Sequence, residues 1–136
     1  MLPLVRKPTR WQKKQLTANH TTDAVVIPEL SYTLEVGKTY RIYGQFLHEC
    51  QPGDNYVILQ FKDGSEEISR ADIRHADTAT AGGGVHSACI IHKMTTTDLT
   101  FYVDSLTGSF ITGSATIPYT YVTVEELPEH EEVSIW

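Results

Sequence analysis

Apolar side chains recur at every second position along this chain, in short runs separated by turn formers. Tyr32, Leu34 and Val36 alternate with polar neighbours, Gly37-Lys38 supplies a turn, and Tyr40, Ile42, Gly44 and Phe46 resume the period of two. This pattern predicts two strands joined tightly. Gln51-Pro52-Gly53-Asp54 interrupts the chain, after which Val57, Leu59 and Phe61 line one face of another strand. Lys62-Asp63-Gly64-Ser65 places Asp-Gly between two alternating runs, the signal for a type I′ hairpin. Residues 71–84 end in Gly82-Gly83-Gly84 and read as a long surface loop, the most mobile interior stretch. Strands resume over 85–93, 99–103 and 116–124, divided by polar clusters at 95–98 and 107–114. Seven to nine short strands without an amphipathic helix describe an all-β sandwich or barrel. The abundance of β-branched residues and tyrosine agrees.

The 136 residues fit one domain, read as a body over 10–136 behind an extended arm over 1–9 that carries Pro3 and Pro8. Charge divides the two ends. Arg6, Lys7, Arg10, Lys13 and Lys14 stand in the first fourteen positions without an acidic residue, whereas the last twelve hold five glutamates and no Lys or Arg. Without those five cations, six Lys and Arg face seventeen Asp and Glu, leaving a net charge of −11. A cationic segment on an acidic body suits docking on an acidic surface, and Arg6, Lys7, Arg10, Trp11, Lys13 and Lys14 are the residues expected to dock. The same body charge argues against nucleic acid as a partner. Ile135 and Trp136, apolar after an acidic run, are expected to pack into an interface. No window approaches the ~18 apolar residues of a membrane helix, so no membrane partner is expected. The opening Met-Leu-Pro-Leu-Val is too short for a secretory signal, so synthesis in the cytoplasm is expected.

No catalytic set emerges, and an enzyme is not expected. Glu66-Glu67 and Glu125-Glu126 are adjacent pairs, which a strand sends to opposite faces, so neither can flank one glycosidic bond. There is no Gly-x-Ser-x-Gly elbow, and Gly82-Gly83-Gly84-Val85-His86 lacks the Lys and Ser/Thr of a phosphate loop. His86 and His92 share one strand face, but a metal needs further ligands, which His48, His75 or Asp77 would have to bring from elsewhere; neither metal nor cofactor is expected. Cys50 and Cys89 read as buried free thiols, with a single bridge as the alternative. The predicted loop offers His75, Asp77, Gly82, Gly83, Gly84 and His86 as a candidate exposed binding loop, and a glycan is the ligand it would suit.

Three stretches carry a resemblance: Trp11-Gln12-Lys13-Lys14-Gln15-Leu16-Thr17-Ala18-Asn19, Leu34-Glu35-Val36-Gly37-Lys38-Thr39-Tyr40-Arg41-Ile42 and Val122-Thr123-Val124-Glu125-Glu126-Leu127-Pro128. Together they resemble small virion proteins of tailed bacteriophages, among them capsid decoration proteins, head fibres and tail-fibre tips. The resemblance implies a jelly-roll, tumour-necrosis-factor-like antiparallel β-sandwich that associates as a homotrimer. It further implies a place on the outer capsid surface of the virion, bound to the major capsid protein of a phage head. A tail-fibre or head-fibre module that binds a receptor or carbohydrate is the alternative. No functional residue is carried over by it.

Overall fold

The computed structural model describes residues 11–78 and 82–128, with backbone alone for 75–78. Ten strands follow one another: β1 (Trp11–Gln15), β2 (Val25–Val26), β3 (Tyr32–Thr33), β4 (Thr39–Cys50), β5 (Gly53–Asp63), β6 (Glu66–Thr78), β7 (Gly82–Lys93), β8 (Asp98–Thr107), β9 (Ser109–Ile111) and β10 (Tyr121–Glu126). They form two antiparallel sheets. Sheet A has the order β1-β10-β4-β7, with β9 also on β4; sheet B has the order β2-β8-β5-β6, with β3 also on β8. The chain is thus an all-β antiparallel sandwich, as the period of two predicts. It changes sheet at β1–β2, β3–β4, β4–β5, β6–β7, β7–β8 and β8–β9, so most strands pair with partners distant in sequence.

The core lies between the sheets. Ile42, Phe46, Val122 and Val124 face inward from sheet A, and Val57, Leu59, Phe61, Leu99, Phe101 and Val103 from sheet B. Phe61 and Phe101 meet edge to face, with centroids 5.3 Å apart. Room for this pair comes from Gly44, where a Cβ would stand 2.7 Å from the Phe61 ring. Tyr32 joins the layers, donating its buried hydroxyl to the Val122 carbonyl. Burial pushes that phenol up to about 12, against a smaller opposing effect at Lys14. The corner between β4 and β5 is closed by buried Asn55, whose Nδ2 donates to the carbonyls of Gln51 and Gly53 at 2.7 and 2.8 Å.

Several local expectations are corrected. Residues 71–84, read as a loop, are largely the end of β6 and the start of β7. Polar side chains on the outer face of β6 hide a strand whose other face carries Ile68, Ala71 and Ile73 against the core. The glycines serve close pairing rather than mobility: a Cβ on Gly83 would stand 2.3 Å from the His48 carbonyl oxygen. The Gly37 turn exists, with φ +84° and Lys38 N–H donating to Glu35 O, but the strands it joins lie in different sheets. The hairpin between β5 and β6 has Gly64 first, at φ +62°, while Ser65 is not at positive φ; this belongs to a II′ turn rather than I′. Residues 116–120 precede β10 instead of joining it, and β9 arises inside the predicted spacer 107–114. Trp11 begins a paired strand, and the predicted arm lies outside the described residues.

Phe61→Ala should remove an aromatic anchor and leave a cavity that the paired strands cannot collapse, costing about 3–5 kcal/mol in urea unfolding. Val36→Ala, at a solvent-exposed position, should change the same midpoint little.

A candidate docking face

Strict alternation sorts the side chains of sheet A into an inner and an outer set. Register defines the outer rows. Trp11, Glu125, Arg41 and Ile91 form one; Lys13, Thr123, Tyr43 and Cys89 form the next; Gln15, Tyr121, Gln45 and Ser87 form a third. Leu47 and Val85 continue it. At its centre the Tyr43 and Tyr121 rings stand 6.0 Å apart, and Tyr121 O–H donates to Gln45 Oε1 at 3.4 Å. Burial, then the neighbouring Tyr43, pushes the Tyr121 phenol up. Lys13 Nζ sits 4.5 Å above that ring, and Arg41 pairs with Glu125 at 3.2 Å. Around this centre Trp11, Val85 and Ile91 are 59%, 60% and 61% exposed, so the face offers apolar area that nothing in the described chain covers.

The outer face of sheet B differs in kind. Arg70 pairs with Glu67 at 3.7 Å and with Asp72 at 3.5 Å, Gln60 Nε2 donates to Glu67 Oε1 at 3.0 Å, and Lys62 Nζ lies 3.9 Å over the Tyr102 ring. Charges there are already balanced within the chain and hydrated, so burying that face would cost desolvation without new partners.

The predicted site residues scatter. Arg6, Lys7, Arg10, Ile135 and Trp136 lie outside the described residues. Trp11, Lys13 and Lys14 belong to β1 instead of an arm. Trp11 and Lys13 reach the outer face, but Lys14 turns inward, donates to the Ser31 carbonyl and lies 4.9 Å over the Tyr32 ring, which removes it from docking. His75 and Asp77 are backbone positions of β6, and Gly82, Gly83, Gly84 and His86 begin β7, so among the described residues these positions belong to strands rather than to a loop. His86 stacks on Phe46 at 5.2 Å and lies 4.9 Å from buried His48, beside a shallow hollow bounded by Cys50, Gly83 and Phe110. Among the described residues no three His, Cys, Asp or Glu side chains gather around one point. Cys50 is buried, whereas Cys89 is exposed: the inner positions of β4 are even-numbered, and the outer positions of β7 are odd-numbered. The two thiols therefore stand on opposite faces and form no bridge. Sequence reading missed the Tyr43–Tyr121 pair, although alternation beside Ile42 and Val122 already put both residues on the face opposite the core.

Asp63 combines burial with chemistry, but its carboxylate is fully occupied. It is 1% exposed and accepts from Thr95 N–H and Oγ1, from Thr96 N–H and Oγ1, and from His92 Nε2 at 2.7 Å. Burial alone would raise its pKa; the hydrogen bonds from His92, Thr95 and Thr96 outweigh that and hold it well below the ordinary 3.8. No lone pair is left for a substrate, and the group is structural.

No family model matches this chain, and no curated protein does. Solved structures do. The structure of Eiger TNF from S. frugiperda is similar over 96% of this chain and 99% of that one, at 10% identity and a TM-score of 0.55. The structure of infectious bursal disease virus, Gx strain, is similar over 97% of this chain at 10% identity and a TM-score of 0.41, and this chain spans 37% of that one. The first likeness establishes the fold, a TNF-like sandwich.

Because the Asp63 pKa is depressed on folding, its stabilisation is complete above about pH 5 and is lost as pH falls below the ordinary value of 3.8. Urea midpoints should fall from pH 5 to pH 3. Asp63→Asn should lower stability by about 3 kcal/mol at pH 7 and flatten that dependence, because an amide puts donors where donors already point.

Proposed function

We propose that the chain is a non-catalytic building block of a virion, the capsid-decoration protein of a tailed-phage head. It would rest on the shell through the outer face of sheet A. The observation that carries this reading is the contrast between the two outer faces. Sheet B's carries Glu67, Arg70 and Asp72 in ion pairs; sheet A's presents Trp11, Tyr43, Tyr121, Val85 and Ile91 beside Lys13 and the Arg41–Glu125 pair. Tyrosine anchors at the centre of the patch and a tryptophan at its rim suit a protein surface, since each buries a large area at small entropic cost. The phage setting is supported by the three stretches of sequence that resemble small virion proteins, and the major capsid protein is the partner they imply. The rival reading of a glycan-binding tip relied on a loop over 71–84; the described part of that segment is paired strand, which favours the capsid reading.

Co-sedimentation with undecorated heads tests this. Tyr43→Ala and Trp11→Ala should each lower occupancy at limiting protein by about tenfold or more, while Lys62→Ala on sheet B should bind as the parent does. Equal binding by all three variants would overturn the assignment of the face.

A further inference from the structure

On one side of the sandwich the sheets end in two long edge strands, β6 and β7, and the sequence treats them differently. β6 carries Glu66, Glu67, Arg70, Asp72 and Arg74, and its register with β5 breaks at Phe61/Lys62; both features deter a further strand. The far edges are short, five residues in β1 with two lysines, and two residues in each of β2 and β3. Apart from Lys93 at its end, β7 has none of these guards. Its twelve residues pair with β4 without a register shift, contain no proline, and turn Val85, Ser87, Cys89, Ile91 and Lys93 outward.

Hydrogen bonds fix which backbone groups point away from β4. Met94, directly after β7, donates its N–H to the Lys38 carbonyl, while the Leu47 carbonyl of β4 accepts from Thr112 on the opposite side. Antiparallel strands send the N–H and C=O of alternate residues to alternate sides, so even-numbered residues of β7 bond to β4. Those of Val85, Ser87, Cys89, Ile91 and Lys93 project from the edge of the sheet.

We propose that a second copy of this chain joins here, its β7 antiparallel to the first, about a two-fold axis beside Ala88. In that register Val85 faces Ile91 of the second copy, Ser87 faces Cys89, and Gly83 faces Lys93. The apolar pattern is a palindrome about Ala88, whereas centring on Cys89 would set Val85 against Lys93. A second observation fixes the same level. Ala88 of β7 and Ala71 of β6 line one apolar slot between the sheets, with Phe46, Phe61 and Phe101 behind them, and these small side chains leave its mouth open where the second copy would cover it. An unrelated strand would satisfy the backbone but not the palindrome, which makes a second copy the occupant. The pairing extends sheet A within its own plane, leaves its outer face available, and does not rest on the function proposed above.

The test uses one thiol per edge. In a Cys89→Ser background, Ala88→Cys falls at the axis in a non-hydrogen-bonded pair, where Cα atoms stand about 4.5 Å apart and a disulfide can close. Mild oxidation should convert this protein to a covalent dimer, whereas Ile90→Cys, on the same face and away from the axis, should stay uncrosslinked. In sedimentation equilibrium, Val85→Glu and Ile91→Lys should each weaken dimerisation by about tenfold or more, and the two combined in one chain should restore it, because each acidic group then faces a basic one across the axis. Both positions are exposed, and circular dichroism checks that the variants fold. An unlinked Ala88→Cys variant, a double variant no better than the singles, or a three-copy species with Ala88→Cys unlinked would each overturn the pairing.

Discussion

The carboxylate of Asp63 holds together the corner on which the two-sheet arrangement depends. It ends β5 in sheet B, while the groups that donate to it, His92, Thr95 and Thr96, lie where the chain leaves β7 in sheet A to enter β8 in sheet B. One ionised side chain thereby closes a hairpin and fixes a crossover. A buried charge is tolerable only when each lone pair is met, and five hydrogen bonds meet these. With the corner fixed, β8 pairs with β5 without a shift from Asp63 back to Leu59, and Phe101 arrives opposite Phe61.

That register propagates outward. Phe61 and Phe101 need the space that Gly44 leaves in β4, which sets the spacing of the sheets at their middle. Tyr32 then reaches across to the Val122 carbonyl and ties the start of sheet B to β10. Because β4 is held on both sides, by β10 and by β7, its outer residues Arg41, Tyr43 and Gln45 are fixed in one row. The inner residues of the same strand make the core, so a function carried by that face draws its rigidity from core packing. Neither a loop nor a titratable cluster is needed for it.

The two edges on the β6/β7 side have opposite characters for a physical reason. A strand edge is a row of unused donors and acceptors, and a monomer must hide or charge it. β6 does so with ion pairs, and β7 leaves Val85, Cys89 and Ile91 beside a backbone edge that no described strand pairs.

The sequence alone determined the class and much of the core. Tyr40, Ile42, Gly44 and Phe46, then Val57, Leu59 and Phe61, alternate as β-strands must, and each of those positions is buried or faces inward. The turns at Gly37 and Gly64 were legible because only glycine adopts their backbone angles without strain. Tertiary structure decided the rest. Periodicity cannot say which sheet a strand joins, so the turn at Gly37 looked like a hairpin and is a crossover. Local composition cannot distinguish a polar loop from an edge strand solvated on one face, so the end of β6 and the glycine-rich start of β7 read as a loop; only pairing with β4 explains Gly83. The candidate site depended most on what lies far apart in sequence: Tyr43, Tyr121 and Trp11 share a face because β1, β10 and β4 are neighbours in space, and no local pattern encodes that adjacency.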